Sequence, residues 1–414
     1  MRSICRAAGH GLRAGAGVLA LAALAACGGS HAAPADFGSA STTFPATMPP
    51  IPQVVRGSGP VMTGVHVVPM FFPNDPNQAT FEAFLDAFAA SPYWPQMVGE
   101  YAVGGDLTID ASVVLPSVPT DMDDYIALMQ LELGSADAAT LAQTVYLTSF
   151  SKLQVFDAGF GVSCEAFAGF HTAFAQTSGS AVSDAGSGSA VPNIIAALTW
   201  GCDSSITELT DVDVSTIVMT HEMIEAATDP LPNTAWGDVD AADAAWAEHF
   251  GGEVGDMCEG FPRRIYRPAD LGFFIQRTWS NSEAMAFHDP CVPHIPDDPP
   301  FFATVPVEDT TDNGVRATNL DIPDGSATVE LQFLADGATD ADWIVEPIDE
   351  ATLDGGPPQL ELAVDRDSGQ NGNLAHLTVT AADGAQKGLS PYRLLVTLDG
   401  IQNVWFGVVD IKSD

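Results

Sequence analysis

The stretch His221-Glu222-Met223-Ile224-Glu225-Ala226-Ala227-Thr228-Asp229-Pro230 decides how this chain is read. It lies one substitution away from the H-E-x-x-H pattern, in which two histidines one helical turn apart bind zinc and the intervening glutamate serves as general base. Glu225 stands where that pattern has its second histidine. The spacing and the general-base candidate Glu222 are kept while one ligand changes type. Two readings follow: a metal centre in a hydrolase, or a His–Glu pair that hydrogen-bonds across one helical turn inside a core.

The flanking residues argue that the motif is helical and buried. From Asp211 to Thr228 the chain reads DVDVSTIVMTHEMIEAAT, with Asp213 or Ser215 as N-cap. At about 100° per residue, Val214, Ile217, Val218 and Ile224 share one stripe. His221 and Glu225 fall in its middle, while Ser215, Thr216 and Met219 point elsewhere. Polar groups on an apolar stripe need partners. Pro230 disfavours helical geometry at Asp229. Asp229 then lies just past the helix end, as a ligand, as a partner orienting His221, or as a helix-stop residue.

The chain opens with Arg2, Arg6 and Arg13 ahead of a short apolar run, Val18 to Ala26, which reads as an export signal. Leu24-Ala25-Ala26-Cys27 resembles the lipobox of bacterial lipoproteins, where the signal is removed and the cysteine carries the lipid. Residues 1–26 are therefore expected to be a signal peptide and Cys27 a lipidation site, with an ordinary secretory cleavage nearby as the alternative. Gly28 follows without the aspartate associated with inner-membrane retention, so a cell-envelope lipoprotein of the outer membrane, or a secreted protein, is expected. No later segment is long and apolar enough to span a membrane, so contact with one is expected only through the lipid on Cys27.

The 414 residues include 54 Asp and Glu against 14 Lys and Arg, a formal net charge of −40. Such a surface repels nucleic acid and anionic membranes, which excludes polyanionic partners. It suits divalent cations or a salty environment, or simply reflects a composition biased toward Ala, Gly and Asp. Beyond Cys27, an exported chain with Cys164, Cys202, Cys258 and Cys291 implies two disulfides in one of three pairings. Cys164–Cys202 with Cys258–Cys291 is favoured, because each pair brackets one arm of the region around the helix.

Residues 27–57, small, polar and proline-rich, read as a flexible tether. A strand at Val65–Phe72, a helix at Ala79–Ala90 and a strand near Leu107–Leu115 follow. Next come a helix near Met122–Leu133 and strands at Thr144–Phe150, Phe167–Phe174 and Asn193–Trp200. Thr177 to Pro192 is a Gly/Ser-rich loop. A mixed sheet ahead of the chemistry-bearing helix gives an α/β (α+β) main domain over residues 58–297, laid out like a zincin. Past PHIPDDPPFF the helical period disappears, and short runs from Ala327 to Ile411 predict an all-β sandwich of the immunoglobulin type over residues 298–414. Asp238, Asp240 and Asp243 lack the pattern of a calcium loop and read as a solvated loop.

Several segments together resemble one family: GPVMTGVHVVPMFF (59–72), VYLTSF (145–150), CEAFAGFH (164–171), ALTWGCD (197–203), THEMIEAATDP (220–230), GGEVGDMCEG (251–260) and FIQRTWSNSEAMAFHDPC (274–291). In this order they are similar to the phosphate-induced, or EXORDIUM, family of plant secreted proteins and its bacterial relatives, over roughly residues 58–292. The resemblance implies that Glu225 is the regular residue at its position. It places His221, Glu222 and Glu225 on the family's helix motif, Glu253, Asp256 and Cys258 on an E-x-x-D-x-C motif, and His171 on G-F-H. Plant members often have asparagine at the position of Asp229, which argues against an obligatory ligand there.

Combined, these readings give an expected ligand set of His221, Glu225 and a carboxylate from Asp256 or Glu253, with His171 fourth. Zinc is the expected metal, with manganese or calcium as alternatives because carboxylates dominate. With Glu222 as general base, a metal-activated water would attack a peptide or other amide carbonyl, giving a peptidase-like hydrolase with peptide or protein substrates. The alternative is a non-catalytic cell-surface module, held by a structural metal or a His–Glu pair, whose β domain binds a partner or polymer.

Overall fold

The computed structural model describes residues 37–413 apart from 135, 177–192, 205–207, 244–245, 247–250, 311–313, 323–324 and 354. The expected signal peptide, Cys27 and the Gly/Ser loop lie outside the described residues. Strands β1 (Val54–Val55), β2 (Val65–Phe71), β3 (Leu107–Ile109), β4 (Val113–Val114), β5 (Thr144–Phe150), β6 (Gly169–Ala175) and β7 (Asn193–Trp200) are interspersed with helices. These are α1 (Gln78–Ala89), α2 (Tyr93–Val98), α3 (Met122–Glu132), α4 (Ala138–Leu141) and α5 (Asp211–Thr228).

The central sheet runs β3-β2-β5-β7-β6, with β4 also on β2. All its pairings are parallel except β6 against β7, so β6 is an antiparallel edge. The strand expected near Leu107–Leu115 is split in two. The break faces Pro69 of β2, whose missing N–H cannot bond a neighbour. The two disulfides are Cys164–Cys202 and Cys258–Cys291, the favoured pairing.

Helix α5 begins one turn earlier than expected. Thr210 is the N-cap, its hydroxyl accepting from Asp213 N, while the Asp213 carboxylate accepts from Thr210 N in a reciprocal capping box. Ser215, Thr216 and Met219 do not point to solvent: every side chain from Ser215 to Thr228 is buried. From Ser215 onward the helix lies between the sheet and a later layer containing β10 (Ile275–Gln276), so it has no solvent face there. Its threonines fit such a place because their hydroxyls donate to the helix's own carbonyls, Thr220 to Ile217 O at 2.7 Å and Thr228 to Ile224 O at 2.9 Å.

Beyond residue 300, β13 (Phe302–Val307), β15 (Ser326–Ala335), β19 (Leu374–Ala381) and β17 (Leu360–Val364) form a four-stranded sheet. A five-stranded sheet runs β14 (Thr318–Ile322), β21 (Ile401–Ser413), β20 (Gly388–Leu398), β16 (Trp343–Asp349) and β18 (Ser368–Gly369). Phe333 and Leu377 from one sheet and Trp343 and Leu394 from the other share a core. Trp343 and Trp405 are both buried, so neither offers a stacking platform.

The layers are less separate than the composition suggested. Trp405 and Phe406 of β21 belong to the same apolar cluster as Trp246, Phe261 and Trp279 of the α/β part. Asp243, expected in a solvated loop, is buried and pairs with Arg316 across this junction. The expected tether is also docked from residue 37 onward. Phe37 O accepts from Leu374 N, Asn371 binds Ser41 and Thr43, and β1 pairs with Asp238–Val239 while Asn281 holds both polar groups of Val54. The side-chain amides of Asn371 and Asn281 satisfy part of its backbone, a feature composition does not display.

Candidate metal centre

Three pieces of chain converge at the middle of α5. The helix supplies His221, Glu222 and Glu225, the edge strand β6 supplies His171, and the turn after Gly251 supplies Glu253 and Asp256. Two close approaches make this possible. A Cβ on Gly169 would lie 2.6 Å from Glu222 Oε1 and 2.4 Å from Val218 Cγ1, so only glycine lets β6 sit on this face of the helix. A Cβ on Gly255 would lie 2.6 Å from Glu225 Oε1 and 2.9 Å from His221 Nδ1.

His221 Nε2 is 3.1 Å from Glu225 Oε2, 3.5 Å from Asp256 Oδ1 and 3.9 Å from Glu222 Oε1. His171 Nδ1 is 3.6 Å from Glu225 Oε2 and 3.9 Å from Glu222 Oε2, and its Nε2 is 3.6 Å from Glu253 Oε1. His221 Nε2, both oxygens of Glu222, Glu225 Oε2 and Asp256 Oδ1 are buried without a hydrogen-bond partner. The 3.1 Å approach of His221 to Glu225 is thus close but not aligned as an N–H···O bond. Unsatisfied buried polar atoms cost about 1–3 kcal/mol each, so five at one point call for a common partner. Donors about 2.0–2.2 Å from a cation lie roughly 3.0–3.5 Å from one another, close to the spacings seen here. The residues present fit a divalent cation.

The expected ligands come together, but not as one set. His221, Glu225 and Asp256 form one group of mutually close donors and His171, Glu225 and Glu253 another, with Glu225 common to both. Asp229 is placed differently from the ligand and His221-partner readings. Its carboxylate accepts from the N–H groups of Asn233, Thr234 and Ala235, closing the turn after the helix, while its backbone oxygen lies 3.2 Å from His171 Nε2. It stops the helix and orients His171.

Sequence reasoning did not single out Gln276. Its side-chain nitrogen lies 2.7 Å from His221 Nδ1 and donates to Gly255 O at 2.9 Å, while its backbone N–H donates to Thr220 Oγ1. With the amide turned this way Nδ1 accepts, and the ring proton sits on Nε2, facing Glu225. Coordination through Nε2 requires the proton on Nδ1, and an amide turned to accept it would give up its bond to Gly255 O. The only earlier trace of Gln276 was its place in the 274–291 segment.

Without a cation, protons redistribute. Burial alone would pull both imidazoles down, but the surrounding carboxylates outweigh it and hold His171 up at about 10 and His221 well above its usual range. Burial pushes Glu222 up to about 8, and pushes Glu253 and Asp256 well above the carboxylate range. Burial also opposes ionisation of Glu225, but His221 and His171 draw its carboxyl well below the usual value. Glu225 is thus the carboxylate that both imidazoles draw down, while burial holds its acidic neighbours Glu222, Glu253 and Asp256 up.

No family model matches the chain, and no curated protein matches it. Solved structures share only slight likenesses. A chimeric titin Z1Z2 functionalised with an exogenous peptide from decorin is 16% identical over 28% of this chain and 95% of that one, at a TM-score of 0.17. The CupB2 chaperone of Pseudomonas aeruginosa is 9% identical over 23% of this chain and 53% of that one, at 0.19. The PKD domain of human KIAA0319 is 14% identical over 27% of this chain and 81% of that one, at 0.15. Likenesses this slight carry no argument about what the chain does.

Proposed function

We propose that this protein is an exported surface module whose α/β domain is braced by a divalent-cation centre at His221, Glu225, Asp256, Glu253 and His171. The observation that carries this reading is the set of five buried, unpartnered polar atoms on His221, Glu222, Glu225 and Asp256. A cation there would join α5, the edge strand β6 and the 251–259 turn, three segments far apart in sequence. The lipobox-like segment and the resemblance to EXORDIUM-type secreted proteins support an exported, lipid-anchored place outside the cell. The acidic surface supports neutral or cationic partners over nucleic acid. The β domain is the partner- or polymer-binding part in this reading.

The test is thermal unfolding with and without a chelator. A bracing ion binds the folded form alone, so at saturation near 1,000 times Kd it adds about 4 kcal/mol. The expected result is a chelator-induced fall in Tm of several degrees, reversed by added zinc or manganese. An unchanged Tm in protein that contained metal beforehand overturns the bracing role.

A peptidase-like hydrolase of zincin-like layout is the second reading, favoured by one observation. Glu222 lies between the imidazoles with both oxygens unpartnered, and burial holds its carboxyl at about 8, where it exchanges a proton near neutral pH. A bound cation would supply Lewis acidity and an activated water; this chain's part is to position the ion and hold that proton. The hydrolase reading requires Glu222→Gln to keep its metal and lose turnover of a peptide library.

A further inference from the structure

The two donor groups at the centre share Glu225 but do not merge. Donors around one ion at about 2.0–2.2 Å can be no further apart than twice that length. His221 and Asp256 fall in one group of mutually close donors, and His171 and Glu253 in the other, with no group containing both histidines. One ion at His221 Nε2 therefore leaves His171 and Glu253 outside its shell.

The carboxylates between the groups are disposed as bridges. Glu225 Oε2 faces both rings, 3.1 Å from His221 Nε2 and 3.6 Å from His171 Nδ1, while its Oε1 is held by the backbone N–H of Asp256. Glu222 divides its oxygens instead: Oε1 is 3.9 Å from His221 Nε2 and Oε2 is 3.9 Å from His171 Nδ1. Both Glu222 oxygens and Glu225 Oε2 are buried without a hydrogen bond.

We propose that the cluster binds two divalent cations, one at His221 and Asp256 and one at His171 and Glu253, bridged by Glu225 and Glu222. This rests on the metal reading above and gives Glu222 a different task, as a bridge and not a proton acceptor. Charge favours more than one ion: Glu222, Glu225, Glu253 and Asp256 carry four negative charges when ionised, and Glu259 Oε1, 4.0 Å from His221 Nδ1, stands beside them. A buried site tolerates a balanced charge best. Bridged ions of this kind sit roughly 3.5–4 Å apart, and nitrogen–carboxylate donor sets suit manganese, iron or zinc more than calcium.

The test is manganese uptake by metal-stripped wild-type protein, followed by equilibrium dialysis and electron paramagnetic resonance. The expected result is two ions per chain and a broadened, spin-coupled spectrum in place of the isolated-ion hyperfine pattern. Glu222→Gln and His171→Gln are each expected to fall to about one ion per chain and recover the isolated-ion spectrum. Wild-type protein that saturates at one ion with an isolated-ion spectrum overturns the two-ion centre and leaves the metal reading standing. No uptake overturns both. The wild-type measurements decide the matter even if a variant does not fold.

Discussion

Replacing Gly255 by alanine isolates the geometry of the centre from its chemistry. The residue has ordinary right-handed backbone angles, φ −74° and ψ −47°, so alanine suits the chain there and only space opposes it. The new Cβ would lie 2.6 Å from Glu225 Oε1 and 2.9 Å from His221 Nδ1, where ordinary contact begins at 3.4 Å. Glu225 must therefore retreat by roughly 0.8 Å, against a tolerance of about 0.2 Å in metal–ligand distance. Overpacking of this size costs about 1–3 kcal/mol of stability. A displaced ligand, with its bond from Asp256 N disturbed, is expected to weaken metal binding at least tenfold, the scale on which supporting contacts act. The assay is a competition titration of zinc against a chromophoric chelator, with Gly105→Ala as control, since a Cβ there meets nothing within 4 Å. Equal zinc affinity in Gly255→Ala and wild type would mean that Glu225 and His221 do not set the site.

Other consequences can be measured separately. Replacing Cys258 and Cys291 by serine opens a loop of 33 residues' separation, expected to cost about 3–4 kcal/mol; since Cys258 ends the turn carrying Asp256, metal affinity should fall with it, and unfolding and metal titrations check both. Gln276→Met removes the amide that steers His221 Nδ1, and zinc affinity should drop about 10–100-fold with little change in fold by circular dichroism. Burial pushes Glu308, at the edge of the β layers, up to about 8. A carboxyl raised on folding favours the native state below its unfolded pKa and loses that contribution as pH rises through the folded value. Stability should therefore fall between about pH 5 and pH 8 by no more than about 1.4 kcal/mol per unit, and Glu308→Gln, which keeps the acceptor for Val408 N, should flatten the slope in denaturant melts.

Much of this architecture was legible because it is written in local patterns. The β-branched run Thr144–Phe150 and the span Asn193–Trp200 coincide with β5 and β7, and Phe81, Phe84, Leu85 and Phe88 mark the buried face of α1. The site residues were legible as types: His221 with Glu225 at helical spacing, and Glu253 and Asp256 near Cys258. Long-range contacts were not. Gln276 reaches His221 across 55 residues of sequence, and Asn371 holds the N-terminal segment from more than 300 residues away. The stripe drawn on α5 failed because from Ser215 onward that helix is covered on every side, so hydrophobic periodicity had no solvent face to report. The glycines that admit the ligands, Gly169 and Gly255, stood within quoted segments, but their meaning depends on what approaches them.

Glu225 and its neighbours are expected to hold a divalent metal, and the metal content of purified protein reads this out. Wild-type protein, desalted after exposure to zinc and manganese, is expected to retain metal, and Glu225→Ala, which removes the carboxylate common to both donor groups, is expected to retain none while keeping both disulfides. A wild-type protein that is fully folded, free of metal and unable to take it up would mean that the cluster holds no metal.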